Sequence, residues 1–110
     1  PLCPPGQLAA AQAAVAAVHV AAPLVDYVQD LIAATRRNTA FQHGLSPRAG
    51  LAVLSAARAW AWLAGREMVL PDDVQAILPA VARHRLRAVQ GAGFARAEEI
   101  AALLRTVPIP

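Results

Sequence analysis

A helix start with a positive charge in its first turn is the feature of this sequence that could do chemistry. Ser46 can cap a helix through its hydroxyl, and Pro47 suits the first helical position, where its missing N–H costs nothing. Arg48 then stands where the helix dipole disfavours a cation by about 0.3–1 kcal/mol. A helix N-terminus attracts anions, and a guanidinium beside it adds a forked donor of permanent charge. The segment therefore suits a phosphate that is bound for part of the time, although local chemistry alone favours an exposed arginine without a ligand.

The elements that must position this segment are helices. Apolar spacing, together with Pro, Asn and Gly signals at the ends, predicts five of them, at 7–17, 23–37, 47–64, from Pro71 onward and at about 96–105. At most one or two very short strands are expected, at 18–20, 67–70 or 84–88. The sequence therefore predicts an all-α fold, a small helical bundle, in one domain that covers 1–110 with 1–6 as its lead-in.

Single residues mark several of the predicted helix ends. Asn38 is a plausible cap for the second helix, Gly65 is expected to follow the end of the third, and a loop with two glycines is expected at 90–93. Leu70 would occupy the N-cap position of the fourth helix, where it is a poor cap, and the acids at 72 and 73 lie in the first turn, where the helix dipole favours them.

The third predicted helix is apolar around most of its circumference, so we expect it to be mostly buried and central. Trp60 and Trp62 are expected to be packing residues. The remaining narrow arc holds five residues: Arg48, Leu51, Ser55, Arg58 and Trp62. Of these, the polar residues Arg48, Ser55 and Arg58 are expected to point out of the core.

Tyr27, on the second predicted helix, has two interpretations. Its ring can lie in the core with a satisfied hydroxyl, or the side chain can contact a ligand. The apolar face of this helix is expected to hold Leu24, Val28, Leu31, Ile32 and Thr35. Residues 1–25 carry no charge, but they lack a basic leader and are interrupted by polar residues and prolines, so we expect a core helix rather than a membrane segment.

Composition narrows the function. The chain has 110 residues, 57% of them hydrophobic and 15% charged, which is typical of a folded domain. It contains no Lys, so the phosphate-binding loop of ATPases, which needs Gly-Lys-Ser/Thr, cannot exist here and the chain alone is not expected to be an enzyme. Cys3 is the only cysteine, which excludes an internal disulfide and fits a reducing, cytoplasmic setting. The histidines lack metal spacing. Because the first residue is Pro1 rather than Met, we expect a part of a longer protein.

Several blocks of the chain resemble, in order, the MoxR family of AAA+ ATPases. They are VDYVQDLIAATR at 25–36, LSPRA at 45–49, ARA followed by GR and VLPDDV at 57–74, RHRL at 83–86, and the VPIP ending at 107–110. The match runs from about Gln7 to the end. Leu45, Met68 and Leu70 depart from the family pattern, which has a small residue, an aromatic residue and Thr at these positions.

This resemblance implies the C-terminal helical lid of an AAA+ ATPase. It makes Arg48 the sensor-2 arginine, which would meet the γ-phosphate of ATP, with Ser46 and Pro47 beside it and Tyr27 as a further candidate contact. The P-loop and the Mg²⁺ site would belong to the protein's own N-terminal core. The resemblance also implies a ring, commonly a hexamer, chaperone-like remodelling or the insertion of metals or cofactors, and partners with von Willebrand factor A domains. The longer protein would hydrolyse ATP.

Two other functions remain open from the sequence. The chain could be a basic helical domain that binds DNA, since its net charge is +3 and Arg83, Arg85 and Arg87 follow one another closely. However, the third helix is too apolar for a recognition helix and aromatic residues are few, so nucleic acid is not the favoured partner. Alternatively, the chain could be a helical adaptor that docks on a protein through Leu51 and Trp62.

Overall fold

Five helices make up the described part of the chain. The computed structural model describes residues 5–37, 44–83 and 97–110. Its helices are α1 (Pro5–Ala16), α2 (Ala22–Arg37), α3 (Pro47–Leu63), α4 (Pro71–Ala82) and α5 (Ala97–Thr106). The structure contains no strand within these ranges, so the predicted all-α class is confirmed. Every helix end that the sequence predicted lies within two residues of its observed position.

Helix α3 is central to the packing. It contacts α1, α2 and α4, while α5 packs against α2 and α4. Its buried side chains recur every four residues, at Ala49, Val53, Ala57 and Ala61. Three of these four are alanines, whose small side chains let the neighbouring helices approach closely. The predicted apolar face of α2 is buried as expected.

The prediction that α3 is mostly buried is wrong. Trp60 and Trp62, expected to pack in the core, are 49% and 38% exposed, and Leu63 is 75% exposed. The fully buried side chains are confined to the stripe that begins at Ala49, while Leu54 and Ala56 are only partly buried. The physical reason is that an apolar chain of this size has more apolar side chains than its core can bury, so several remain on the surface.

Helix α1 also differs from its prediction as a core helix. None of its described side chains is buried, and Leu8 is 53% exposed. The half-buried residues Ala11, Ala14 and Val15 form the side nearest the bundle. An alanine-rich helix has little contrast between its faces, so the sequence did not reveal which side, or how much of it, would be covered.

The connections between the helices are held by backbone hydrogen bonds. The N–H of His19 donates to the carbonyl of Glu67 at 2.8 Å, and the N–H of Val69 donates to the carbonyl of His19 at 2.9 Å. This single parallel bridge lies where two of the short strands were expected. It joins the α1–α2 connection to the α3–α4 connection.

Gly65 follows the end of α3 as its C′ residue, as predicted. This residue has φ of +79°, a backbone conformation that glycine adopts without a steric penalty. The N–H groups of Gly65 and Arg66 donate to the carbonyls of Trp62 and Ala61, both at 2.9 Å, which is the Schellman arrangement.

The start of α4 contains a buried carboxylate. Asp73 is 1% exposed; one of its oxygens pairs with the guanidinium of Arg66, and the other accepts a hydrogen bond of 2.7 Å from the N–H of Leu70. Leu70 is the N-cap residue, as predicted, and makes no capping bond through its side chain. We call Arg66, Leu70 and Asp73 the Asp73 corner. It fixes the α3–α4 connection onto the first turn of α4.

Some sequence predictions fall outside the described residues. They are Asn38 as a helix cap, the glycine loop at 90–93, the short strand at 84–88 and the basic residues at 85 and 87. Within the described ranges, the helices are too short or too polar for any of them to cross a membrane.

Candidate functional site

The predicted cap of α3 is present. The side-chain oxygen of Ser46 accepts a hydrogen bond of 3.3 Å from the N–H of Ala49, and the carbonyl of Ser46 accepts from the same group at 3.0 Å. Pro47 occupies the first helical position. The local sequence therefore fixes where α3 begins and where the next side chain projects.

Arg48 is exposed. No hydrogen bond or ion pair joins it to another residue in the described ranges, so its donors are available to a ligand from outside. Ser55 is exposed on the same outer arc, as predicted. Arg58 is only half-buried, and its Nε is buried without a hydrogen-bond partner in the described part of the chain.

The segment that leads to Arg48 is held by α2. Leu45 is 2% exposed, and its N–H donates to Oγ1 of Thr35 at 2.8 Å. Its carbonyl accepts a hydrogen bond of 3.2 Å from Nε of Arg36. Both polar groups of this residue are thus bound by consecutive side chains of α2. We call residues 44–48 the sensor turn, after the role that the sequence resemblance implies for Arg48, and this pair of bonds the Leu45 clamp.

Gly44 allows the sensor turn to lie against α2. A Cβ atom at this position would stand 2.7 Å from Cα and 2.8 Å from the backbone nitrogen of Arg36. These atoms belong to the helix backbone and cannot rotate away, so any larger residue would displace the turn.

A shallow apolar groove of about 300 Å³ lies between α2 and α3, next to the sensor turn. Its walls are mostly aliphatic, with Gln29 and Arg36 as the polar exceptions. Pro47, Gly50 and Leu51 contribute the side nearest Arg48. Leu51 is 67% exposed, so this part of α3 presents apolar surface beside the guanidinium.

Tyr27 lies in the core rather than on this surface. It is 2% exposed, and its hydroxyl accepts a hydrogen bond of 3.2 Å from Nε2 of Gln75 on α4. The first of its two interpretations, a core ring with a satisfied hydroxyl, therefore describes its position. Contact with a nucleotide stays a prediction.

The sequence predicted Ser46, Pro47 and Arg48 as the site, and the structure places the three together at the start of α3. The sequence did not predict the roles of Thr35, Arg36 and Gly44. A signal for Thr35 was nevertheless present, because a polar residue on the apolar face of a helix must find a buried hydrogen-bond partner.

The chemistry of the site is that of an anion contact. In the described ranges no group of three His, Cys, Asp or Glu side chains could hold a metal ion. The sensor turn instead offers a permanently charged, forked donor beside the positive end of a helix dipole, which fits a phosphate.

Comparisons with known proteins agree on the kind of domain. The family model described as "AAA lid domain" matches residues 33–106. The chain is 42% identical to Chaperone MoxR1 of Mycobacterium tuberculosis over 57% of this chain and 19% of that protein. It is 38% identical to Protein MoxR of Methylorubrum extorquens over 63% of this chain and 21% of the relative. The chain thus spans about a fifth of the length of these relatives.

A solved structure has the same fold. It is described as a putative ATPase from Cytophaga hutchinsonii and superposes with a TM-score of 0.78 over 89% of this chain and 33% of that protein. Its sequence identity is 24%, so the likeness concerns the fold alone.

Proposed function

Because this chain belongs to the AAA lid domain family and is a lid of the MoxR type, we propose that it senses ATP bound to an adjoining ATPase core. In this proposal Arg48 is the sensor-2 arginine, and its guanidinium contacts the γ-phosphate. The position of Arg48 is the observation that carries the proposal. Its side chain is an exposed cation at the end of the helix where the dipole disfavours positive charge, and side chains of α2 hold the backbone of the turn that precedes it.

The physical basis is a contact that exists in only one nucleotide state. A hydrogen bond between charged groups is roughly twice as strong as a neutral one. It is present while the γ-phosphate is in place and lost when that group leaves. Such a difference in contacts can bias the angle between lid and core.

The residues of this chain would have different roles at the nucleotide. Arg48 would hold the terminal phosphate, while Ser46 and Pro47 fix the helix start from which it projects. ATP, when bound with Mg²⁺, supplies the phosphoryl group that is transferred to water. The P-loop and the Mg²⁺ ligands would come from the protein's own N-terminal core, since this chain has no Lys. Arg48 can also offset negative charge on the phosphoryl group during transfer.

The exposed apolar residues support the proposed partners. Leu51, Trp60 and Leu63 are between 49% and 75% exposed, so they present apolar surface that a partner could cover. We propose that such surfaces meet the ATPase core and the neighbouring subunits of a ring, commonly a hexamer. Chaperone-like remodelling or metal and cofactor insertion in the cytoplasm, with a von Willebrand factor A domain protein as partner, completes the proposal.

The test compares two arginines on one helix in the intact protein that joins this chain to its core. Arg48→Ala should lower ATP turnover by about tenfold to a hundredfold, the range for removing one charged contact. Arg58→Ala, ten residues further along α3, is the matched control and should retain turnover. Loss of turnover in the Arg58 variant with normal activity in the Arg48 variant would show that the sensor is assigned to the wrong arginine.

A further inference from the structure

We infer that Thr35 and Arg36 are positioning residues for Arg48, acting through the Leu45 clamp. The inference rests on the proposed function, in which Arg48 meets the γ-phosphate. It adds a feature that neither the cap nor the helix dipole supplies: a connection from α2 that holds the backbone three residues before the sensor.

The hydroxyl of Thr35 can hold Leu45 in place because it acts as a donor and as an acceptor at the same time. It donates to the carbonyl of Ile32 at 2.6 Å and accepts from the N–H of Leu45 at 2.8 Å. Thr35 is 1% exposed, so water cannot replace it as the acceptor. Removal of the hydroxyl would leave the N–H of Leu45 buried without a partner.

Arg36 completes the clamp from the other side of the same residue. Its Nε donates to the carbonyl of Leu45 at 3.2 Å, while the backbone of Gly44 lies against the backbone of Arg36. The clamped residue is immediately followed by the cap, Ser46. The sensor turn is thus attached to the end of α2 as well as to α3, so α2 and Arg48 must move together when the guanidinium engages a phosphate.

The kinetic test uses ATP as the probe and the intact protein with its core. Thr35→Val keeps the shape but removes the acceptor, and we expect kcat to fall about tenfold and KM for ATP to rise, because Arg48 also contributes to ATP binding. Thr35→Ser keeps the hydroxyl and should stay within about twofold of the wild type. Thr106→Val is the control for the loss of a threonine hydroxyl. Like Thr35, Thr106 donates to the carbonyl three residues earlier, but unlike Thr35 it accepts from no backbone N–H in the described ranges. It should leave kcat unchanged.

The double variant separates positioning from folding. If Thr35 acts through Arg48, then Arg48→Ala with Thr35→Val should have the same kcat as Arg48→Ala alone, because the clamp then has nothing left to position. If the two losses multiply, Thr35 has an independent role and the inference is wrong. It is equally overturned if the Ser variant is as impaired as the Val variant.

A second pair of variants avoids the buried site. Arg36→Lys keeps the charge but removes Nε, and we expect kcat to fall about threefold, whereas Arg37→Lys next to it should have no effect. Normal kcat in both Thr35→Val and Arg36→Lys, beside a defective Arg48→Ala, would overturn the clamp and leave the sensor intact. Normal kcat in Arg48→Ala would overturn the sensor itself, and the positioning role with it.

Discussion

Two helices of this domain begin in the same way, but a charged residue in the first turn of each, Arg48 in α3 and Asp73 in α4, is used in opposite ways. Ser46 and Leu70 are both extended N-cap residues, each followed by a proline at the first helical position. At the start of α4 the charged group is the carboxylate of Asp73, which the helix dipole favours at this end. It is buried and bound by other groups of the chain. At the start of α3 the charge is Arg48, which opposes the dipole and is exposed.

In the proposed function, this difference separates a helix start that stabilises the fold from one that contacts a nucleotide. In the Asp73 corner both carboxylate oxygens are bound within the chain, which holds two elements together, while Nε of Arg66 is buried without a hydrogen-bond partner in the described ranges. The sensor turn has its backbone satisfied by α2, while its charged side chain faces outward. We therefore expect substitutions at the Asp73 corner to affect mainly the stability, and substitutions at Arg48 to affect mainly the response to nucleotide.

The largest effect on stability is expected for Asp73→Ala. This substitution leaves Arg66 without its partner and the N–H of Leu70 without its acceptor. Removing one member of a buried pair costs about 3–5 kcal/mol, but the Arg66 side chain is 36% exposed and can be solvated again. We expect urea denaturation of the chain to show a loss of about 2–3 kcal/mol. Asp72→Ala, at the exposed neighbouring acid, should cost less than about 1 kcal/mol; equal losses would remove the distinction.

A smaller effect on stability is expected for Gly44→Ala. The added Cβ would collide with the backbone of Arg36, which forces the sensor turn outward at a cost of about 1–2 kcal/mol in denaturation. Gly50→Ala is the matched control, since its Cβ would meet Cγ1 of Ile32 at an ordinary 3.6 Å and alanine favours a helix. If Gly44→Ala is as stable as Gly50→Ala, the turn is not packed against α2.

The smallest effects come from exchanging the caps. Ser46→Ala should destabilise the chain by about 1 kcal/mol, because the N–H of Ala49 loses its side-chain acceptor. Leu70→Thr should stabilise it by about 0.5–1 kcal/mol, because α4 then gains the missing cap. Thermal unfolding measures both. A Thr variant less stable than the natural chain would show that the Asp73 corner already meets every need of that helix start.

The sequence could predict those helix ends that are marked by residues at the ends themselves. Pro47, Pro71 and Gly65 act on their own helix ends, so both bounds of α3 and the start of α4 followed from them directly. The exposure of Trp60 did not follow, because it depends on which neighbours cover α3, and alanine-rich faces give little indication of that.

The polar contacts that hold the site were harder to predict. Asp73 was interpreted only as an acid in a first helical turn, whereas its burial depends on Arg66 across a connection. The Leu45 clamp likewise joins residues about ten positions apart in the chain. The sequence did single out Arg48, because the conflict between its charge and the helix dipole is local, and its role as a sensor stays a prediction.

The most direct test of the sensor is the affinity of the intact protein for two nucleotides. We expect Arg48→Ala to weaken the binding of a non-hydrolysable ATP analogue by about tenfold or more, and to leave ADP binding unchanged, because ADP lacks the terminal phosphate. Calorimetric titration with Mg²⁺ present measures both affinities. Equal weakening of the two nucleotides, or no change in either, would contradict the assignment of Arg48 to the γ-phosphate.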